Sequence, residues 1–290
     1  MINWMKFKWL YFLISAAIII PGVVSLLIFG LKLGIDFTGG TLLEYRFNQE
    51  INSQEINKVL QEKNYEVYSV QASGEKTYLL RMPALEKEKV AEVRNLLAEK
   101  FNDEPQEIRF EVVGPTLGRE LLVKTIVAII LAAGFILSYV AWRFKNAKFG
   151  ICAILAMFHD TLVMLGSFSL LGHFFGIEID TLFVTAVLTI LSFSVHDTVV
   201  VYDRIRESQK LFPKASFESL VNKAVTETLS RSLNNSLTII FMLIALLLLG
   251  GVTIKWFVAA LLIGTVSGTY SSTFNAAPLL VVWEKIKKRT

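Results

Sequence analysis

Six stretches of the chain stay apolar for about the roughly 20 residues that cross a bilayer: 9–30, 121–142, 149–172, 181–202, 232–250 and 256–283. Between the first two the pattern changes to short alternations in a polar background. Leu43, Tyr45 and Phe47 alternate in TLLEYRFN, which predicts a half-buried strand. Asn52 with Glu55 resembles a capping box, and Ile56, Val59 and Leu60 follow at helical spacing. YEVYSVQA and KTYLLRM flank Ser73-Gly74-Glu75, a hairpin signal. Val90, Val93, Leu97 and Phe101 form a helical stripe in 86–101, and Ile108, Phe110 and Val112 alternate in IRFEVV. The order β-α-β-β-α-β matches a ferredoxin-like split βαβ. The expected fold is an α-helical membrane protein of six transmembrane helices, with a small α+β ferredoxin-like extracytoplasmic domain between helices 1 and 2. Its domains are 1–30, 31–120 and 121–290. The polar, amphipathic segment 204–231 reads as a connector helix leading into span 5.

Composition agrees: mean hydropathy is +0.53, with 53% hydrophobic and 19% charged residues. Residues 31–120 carry 12 basic and 16 acidic side chains, so the net charge of +4 resides in the spans and their flanks and does not indicate nucleic-acid binding. The single cysteine, Cys152, excludes an intrachain disulfide. The first apolar run is too long for a signal-peptide core and continues into Gly30-Leu31-Lys32, so it reads as an uncleaved anchor. Lys6 and Lys8, then Arg143, Lys145 and Lys148, then Arg204, Arg206, Lys210, Lys214 and Lys223, then Lys285, Lys287, Lys288 and Arg289 flank alternate span ends. By the positive-inside rule both termini are cytoplasmic and residues 31–120 face outward.

No Gly-rich phosphate loop, metal-ligand spacing or Ser–His–Asp order appears, so no enzyme, metal or cofactor is expected. The informative residues are charges inside apolar runs. Asp197 lies in span 4, roughly 9 Å inside its cytoplasmic end, and Arg231 opens span 5. A charge in hydrocarbon costs at least ~2.5–3.5 kcal/mol and is kept where it is paired, hydrated or needed. Asp197 and Arg231 read as a proton-coupling pair; the alternative is a static ion pair that fixes packing. Ser194 and Asn235 lie one turn away on the respective faces. Asp160, beside His159 in span 3, is a second buried acid, held by that ring or by hydroxyls of neighbouring spans. His196 either relays protons beside Asp197 or faces a neighbouring helix. Gly264 and Gly268, with Ala260 and Ser272, place small residues every four positions on span 6, a helix-packing face.

The segments GIDFTGGTLLEYRF, VGPTLGREL, the His159-Asp160 pair, HDTVVVYDRIRE and TLSRSLNNSLT, in this order, resemble the SecF subunits of the SecD/SecF protein-export family. The resemblance covers nearly the whole chain and takes in Asp36, Gly39, Gly40, Asp203 and Arg204 as motif positions. It implies half of a resistance-nodulation-division (RND) bundle, completed by SecD and working beside SecYEG, with YajC and YidC as further partners. It implies membrane lipid surroundings, unfolded preprotein as cargo, a bacterial plasma-membrane location, and protons of the proton motive force as the energy source. It also implies that Asp197 and Arg231 belong to the proton path. The family reads Gly-Tyr-Ser-x-Asn-Asp where this chain has Ser192-Phe193-Ser194-Val195-His196-Asp197, exchanging a hydroxyl and an amide for a phenyl and an imidazole. The remaining readings are a small-molecule or lipid exporter of the RND superfamily and a passive scaffold for SecD. The Asp36–Gly40 segment reads either as a hinge or as a tight turn entering a strand.

Overall fold

A computed structural model describes residues 2–144 and 146–287. The sequence reading of Lys145, Lys288 and Arg289 falls outside the described residues. The chain forms two compact units, one from the first 32 residues together with Val127 onward, the other Leu33–Ile126.

In the first unit a 3-10 turn, Trp4–Phe7, leads into helix α1, Lys8–Ile28. In the second, a short helix α2, Ile35–Thr38, is followed by β1 (Gly40–Arg46), α3 (Ser53–Glu62), β2 (Ser69–Gly74), β3 (Thr77–Met82), α4 (Lys87–Phe101) and β4 (Gln106–Val113). The strands form one antiparallel sheet in the order β2-β3-β1-β4. Leu43, Leu80 and Met82 on the sheet meet Ile56 and Leu60 of α3 and Val93 and Leu97 of α4, all fully buried. Each such side chain contributes about 1.5–3 kcal/mol. The Asn52 side chain caps α3 by accepting from the Gln54 amide. The β2–β3 turn sits one residue later than the hairpin signal, because β2 runs through Gly74 and Lys76 takes the left-handed conformation.

Helix α5, Pro115–Phe144, leaves this unit and enters the other. Then come α6 (Ala147–Phe175), α7 (Thr181–Leu211), α8 (Phe217–Leu249), α9 (Val252–Ser271), a π turn (Ser272–Ala276) and α10 (Ala277–Lys287). Six helices, the last of them continuous through the π turn, are long and apolar enough to cross a membrane. The expected connector helix over 204–231 is instead two extensions: α7 runs on to Leu211 and α8 starts at Phe217. Pro213 lies in the break, where it cannot continue the helix, and the Ser216 hydroxyl caps α8 at the Ser219 amide.

Small residues bring these helices close. A Cβ on Gly166 of α6 would lie 2.6 Å from Gly22 Cα of α1, so the backbones touch. One turn on, Ser25 and Ser169 share a 2.7 Å hydrogen bond. Gly264 of α9 faces Ile190 of α7, and Gly268 faces Phe193. The expected packing face is therefore internal, and α9 is drawn against α7.

Candidate functional site

Asp160, midway along α6, is 1% exposed. An isolated carboxylate there would be costly, and four donors offset that cost. Ser194 of α7 and Ser271 of α9 donate to Oδ2, each at 2.6 Å. Ser267 of α9 donates to Oδ1 at 2.6 Å, and His159 Nδ1 lies 2.9 Å from the same oxygen. The acid thus ties three helices together. His159 Nε2 is buried with no hydrogen-bond partner among the described residues.

Asp197 of α7 is 5% exposed. Ser232 of α8 donates to its Oδ2 at 2.5 Å and Ser272, the first residue of the π turn, at 2.7 Å. Among the described residues no side chain bonds its Oδ1. Arg231, next to Ser232, does not pair with Asp197. It is exposed and lines a polar crevice of about 400 Å³ with Val200, Asp203, Arg204, Glu207, Glu227 and Thr228. There Arg204 bonds Glu227 at 2.7 Å and Glu207 at 2.6 Å, and Arg143 bonds Asp203. Asp203 and Arg204 therefore join α7 to α5 and α8 at the Arg231 end of the site.

Ser194, Asp197, Arg231 and Asn235, which the sequence places one turn apart on the faces of spans 4 and 5, do not line a shared polar seam. Ser194 serves Asp160, and Asn235 and His196 are exposed on the outer sides of their helices. Asp197 is reached instead by Ser232 and Ser272, and Asp160 by Ser267 and Ser271. Ser232 stands inside TLSRSLNNSLT and was within reach of sequence reasoning. Ser272 was visible only as part of a small-residue stripe, and Ser267 and Ser271 lie off that stripe.

In the other unit, Gly39 (φ 74°) and Gly40 (φ 130°) make a tight turn from α2 into β1. A Cβ on Gly39 would lie 2.7 Å from Pro115 Cα, and one on Gly118 2.8 Å from the Gly39 amide nitrogen. This is the strand-entry turn of the two sequence readings, clamped against the start of α5. Asp36 lies in α2, near enough to Arg81 to interact with it. Burial pushes the Arg81 guanidinium down to about 10, an effect Asp36 partly opposes. Among the described residues no group of three or more His, Cys, Asp or Glu side chains is arranged to hold a metal ion.

The family model for the SecD/SecF protein export membrane protein, C-terminal, matches residues 92–286, and that for the SecD/SecF GG motif matches residues 24–51. The protein translocase subunit SecF of Thermobaculum terrenum is 46% identical over 98% of this chain and 94% of its own length. The protein translocase subunit SecDF of Thermus thermophilus is 35% identical over 94% of this chain, which spans 38% of that longer protein. The crystal structure of SecDF, a translocon-associated membrane protein from Thermus thermophilus, superposes with a TM-score of 0.89 at 33% identity, covering 98% of this chain and 39% of that one. SecDF in the super-membrane-facing form gives a TM-score of 0.70 over 99% of this chain and 39% of the other.

Proposed function

This chain belongs to the SecD/SecF family of protein-export membrane proteins, and from that premise we propose that it couples the proton motive force to the late export of unfolded preproteins. The observation that carries the reading is Asp197: an acid 5% exposed, held by only two hydroxyls on one oxygen, inside a helix of membrane-crossing length. Asp197 takes a proton from the outward side and releases it inward through the polar crevice lined by Arg231. Arg231 exchanges between the carboxylates of that crevice and Asp197. Asp160 holds α6, α7 and α9 together beside this path, and His196 stands at its outer edge.

A SecD half completes the bundle. Thr185, Thr189, Ser192 and His196 on α7 and Arg231, Asn234, Asn235 and Thr238 on α8 are exposed within helices of membrane-crossing length. Polar groups at that depth are favoured where they meet protein or water rather than lipid. SecDF relatives that carry both halves in one chain agree with this arrangement. Both termini are cytoplasmic in a bacterial plasma membrane. The β-α-β-β-α-β unit, with its strand order β2-β3-β1-β4, is a ferredoxin-like extracytoplasmic domain that meets the emerging preprotein beside SecYEG, with YajC and YidC as accessory partners. One proton moving down 100 mV supplies about 2.3 kcal/mol, enough to bias a two-state domain but not to unfold a stable passenger.

The test is preprotein translocation into inverted vesicles that hold this protein and its SecD partner, with an imposed proton gradient. Asp197→Asn is expected to assemble and to lose the gradient-dependent stimulation. Full stimulation in the variant would leave a scaffold role, with Asp197 as a packing residue.

A further inference from the structure

The two buried acids differ in how completely they are satisfied. A carboxylate offers about four acceptor sites. Asp160 has four contacts, two per oxygen, from His159, Ser194, Ser267 and Ser271. Taking up a proton there would displace a donor. Among the described residues Asp197 has two side-chain contacts, both on Oδ2, which leaves Oδ1 as the open position.

One short segment is bonded to both acids. Ser271 closes α9 and Ser272 opens the π turn. Adjacent residues of a helix point about 100° apart, and here they point at different helices, Ser271 at Asp160 on α6 and Ser272 at Asp197 on α7. Upstream, Ser267 is also on Asp160. Downstream, Asn275 exchanges hydrogen bonds of 2.8 and 3.0 Å with Ser15 of α1, and the Ala276 carbonyl accepts from the Tyr202 hydroxyl at 2.9 Å. The π turn therefore lies between a saturated anchor and the core of α1. Ser272 also has a second acceptor, the Thr269 carbonyl at 3.1 Å. π-Turns inside helices mark places where the backbone adjusts at functional sites.

We propose that Asp160 is a fixed anchor rather than a proton carrier, and that the π turn Ser272–Ala276 is the element that converts protonation of Asp197 into movement of α1. The proposal rests on the proton-coupled reading above. When Asp197 is ionised, the Ser272 hydroxyl donates to Oδ2 and the turn is held against α7. When a proton arrives on Oδ1 the charge is lost, and the Ser272 hydroxyl turns to the Thr269 carbonyl. The π turn is released at its Ser272 end only, because Ser267 and Ser271 still hold α9 to Asp160 and the Tyr202 hydroxyl of α7 still holds the Ala276 carbonyl. Asn275 carries the shift to Ser15. Release of the proton restores the first arrangement, with no covalent change. Ser271 and Ser272 are positioning residues in this scheme.

The experiment uses the protein reconstituted with its SecD partner in vesicles, with two readouts. The first is the infrared band of a protonated carboxyl, followed as the outward side is acidified. The band is expected in the wild type and in Asp160→Asn and is expected to vanish in Asp197→Asn. The second is the separation of spin labels at Leu13 on α1 and Phe158 on α6, both exposed positions. The separation is expected to change along with the band in the wild type, and to stay fixed in Ser272→Ala although the band persists. A band lost in Asp160→Asn and kept in Asp197→Asn overturns the anchor role while leaving proton coupling intact. No band in the wild type removes both readings. A wild-type change of separation in Ser272→Ala overturns the role of the π turn. Should Asp160→Asn fail to assemble, Ser267→Ala, which removes one of the four donors, takes its place: the Asp197 band is expected to persist, and its loss overturns the proposal.

Discussion

Replacing Gly264 with alanine tests the contact that sets the distance between α7 and α9. The new methyl would stand 2.7 Å from Cγ2 and 2.8 Å from Cδ1 of Ile190. Carbon atoms rest at about 3.5–4.0 Å, so one helix must retreat by roughly 1 Å or Ile190 must leave its rotamer. Ile190 is 3% exposed and has no free direction to take. Overpacking of this kind costs about 1–3 kcal/mol. The assay is reversible unfolding of the purified protein by denaturant titration in detergent, run as a double-mutant cycle with Ile190→Ala. Alone, Ile190→Ala opens a cavity and costs about 2–5 kcal/mol. In the double variant the methyl enters that cavity, so the combined loss is expected to fall short of the sum by about 1–3 kcal/mol. Simple additivity would refute the reasoning, because it would mean that the two side chains do not share space. Gly268→Ala meets the Phe193 ring edge at 3.2 Å, which can turn aside, and the Ser194 Cα at an ordinary 3.6 Å, and is expected to cost less than Gly264→Ala.

Three further outcomes follow from other parts of the chain. The Tyr45 hydroxyl is buried without a hydrogen-bond partner among the described residues, and burial pushes the phenol up to about 12. An unfolded tyrosine ionises near 10, so the unit 33–126 is expected to lose stability as pH climbs from about 10 toward 12. Tyr45→Phe removes that loss and, by deleting an unsatisfied group, raises stability by about 1 kcal/mol at neutral pH in chemical denaturation. Gly39→Ala combines a positive φ with a backbone clash at Pro115 and is expected to cost about 3 kcal/mol or more, whereas Gly30→Ala, with φ 67° and open space, costs only the ~1–2 kcal/mol of the backbone conformation; thermal melts of the two variants separate the terms. Ser194→Ala removes one of the four contacts of a buried carboxylate and is expected to destabilise by about 1.5–3 kcal/mol in the same melts, although Ser194 is not bonded to Asp197.

The membrane-length runs were legible because about 20 apolar residues in sequence have few other uses. The strands and helices of 33–126 were legible from the alternation at Leu43, Tyr45 and Phe47 and the stripe at Val90, Val93 and Leu97. The break between α7 and α8 carried its own signal, Pro213 followed by the cap at Ser216, which the amphipathic pattern of 204–231 obscured. For Asp160 the kind of partner was legible, the His159 ring and hydroxyls of neighbouring spans, but which hydroxyls, and what Asp197 faces, were not. Ser194 and Asp197 are three residues apart, about 60° around a helix, and that offset lets one serve α6 while the other turns toward α8 and the π turn. Hydroxyl partners are chosen by tertiary packing. No residue pattern announces a π turn, so the placement of Ser271 and Ser272 on different acids appears only once α6, α7 and α9 are assembled.

The crossing of α1 and α6 constrains how this protein can drift in evolution. Where Gly264 meets Ile190, an added methyl on one side can be answered by a smaller side chain on the other, so a two-step neutral path exists. Where Gly22 meets Gly166, each would-be methyl lands on the other's backbone, at 2.9 and 2.6 Å. Backbone atoms cannot be mutated away. No second substitution opposite can rescue either glycine, and the pair is expected to stay frozen while its neighbours along the same two helices vary in concert.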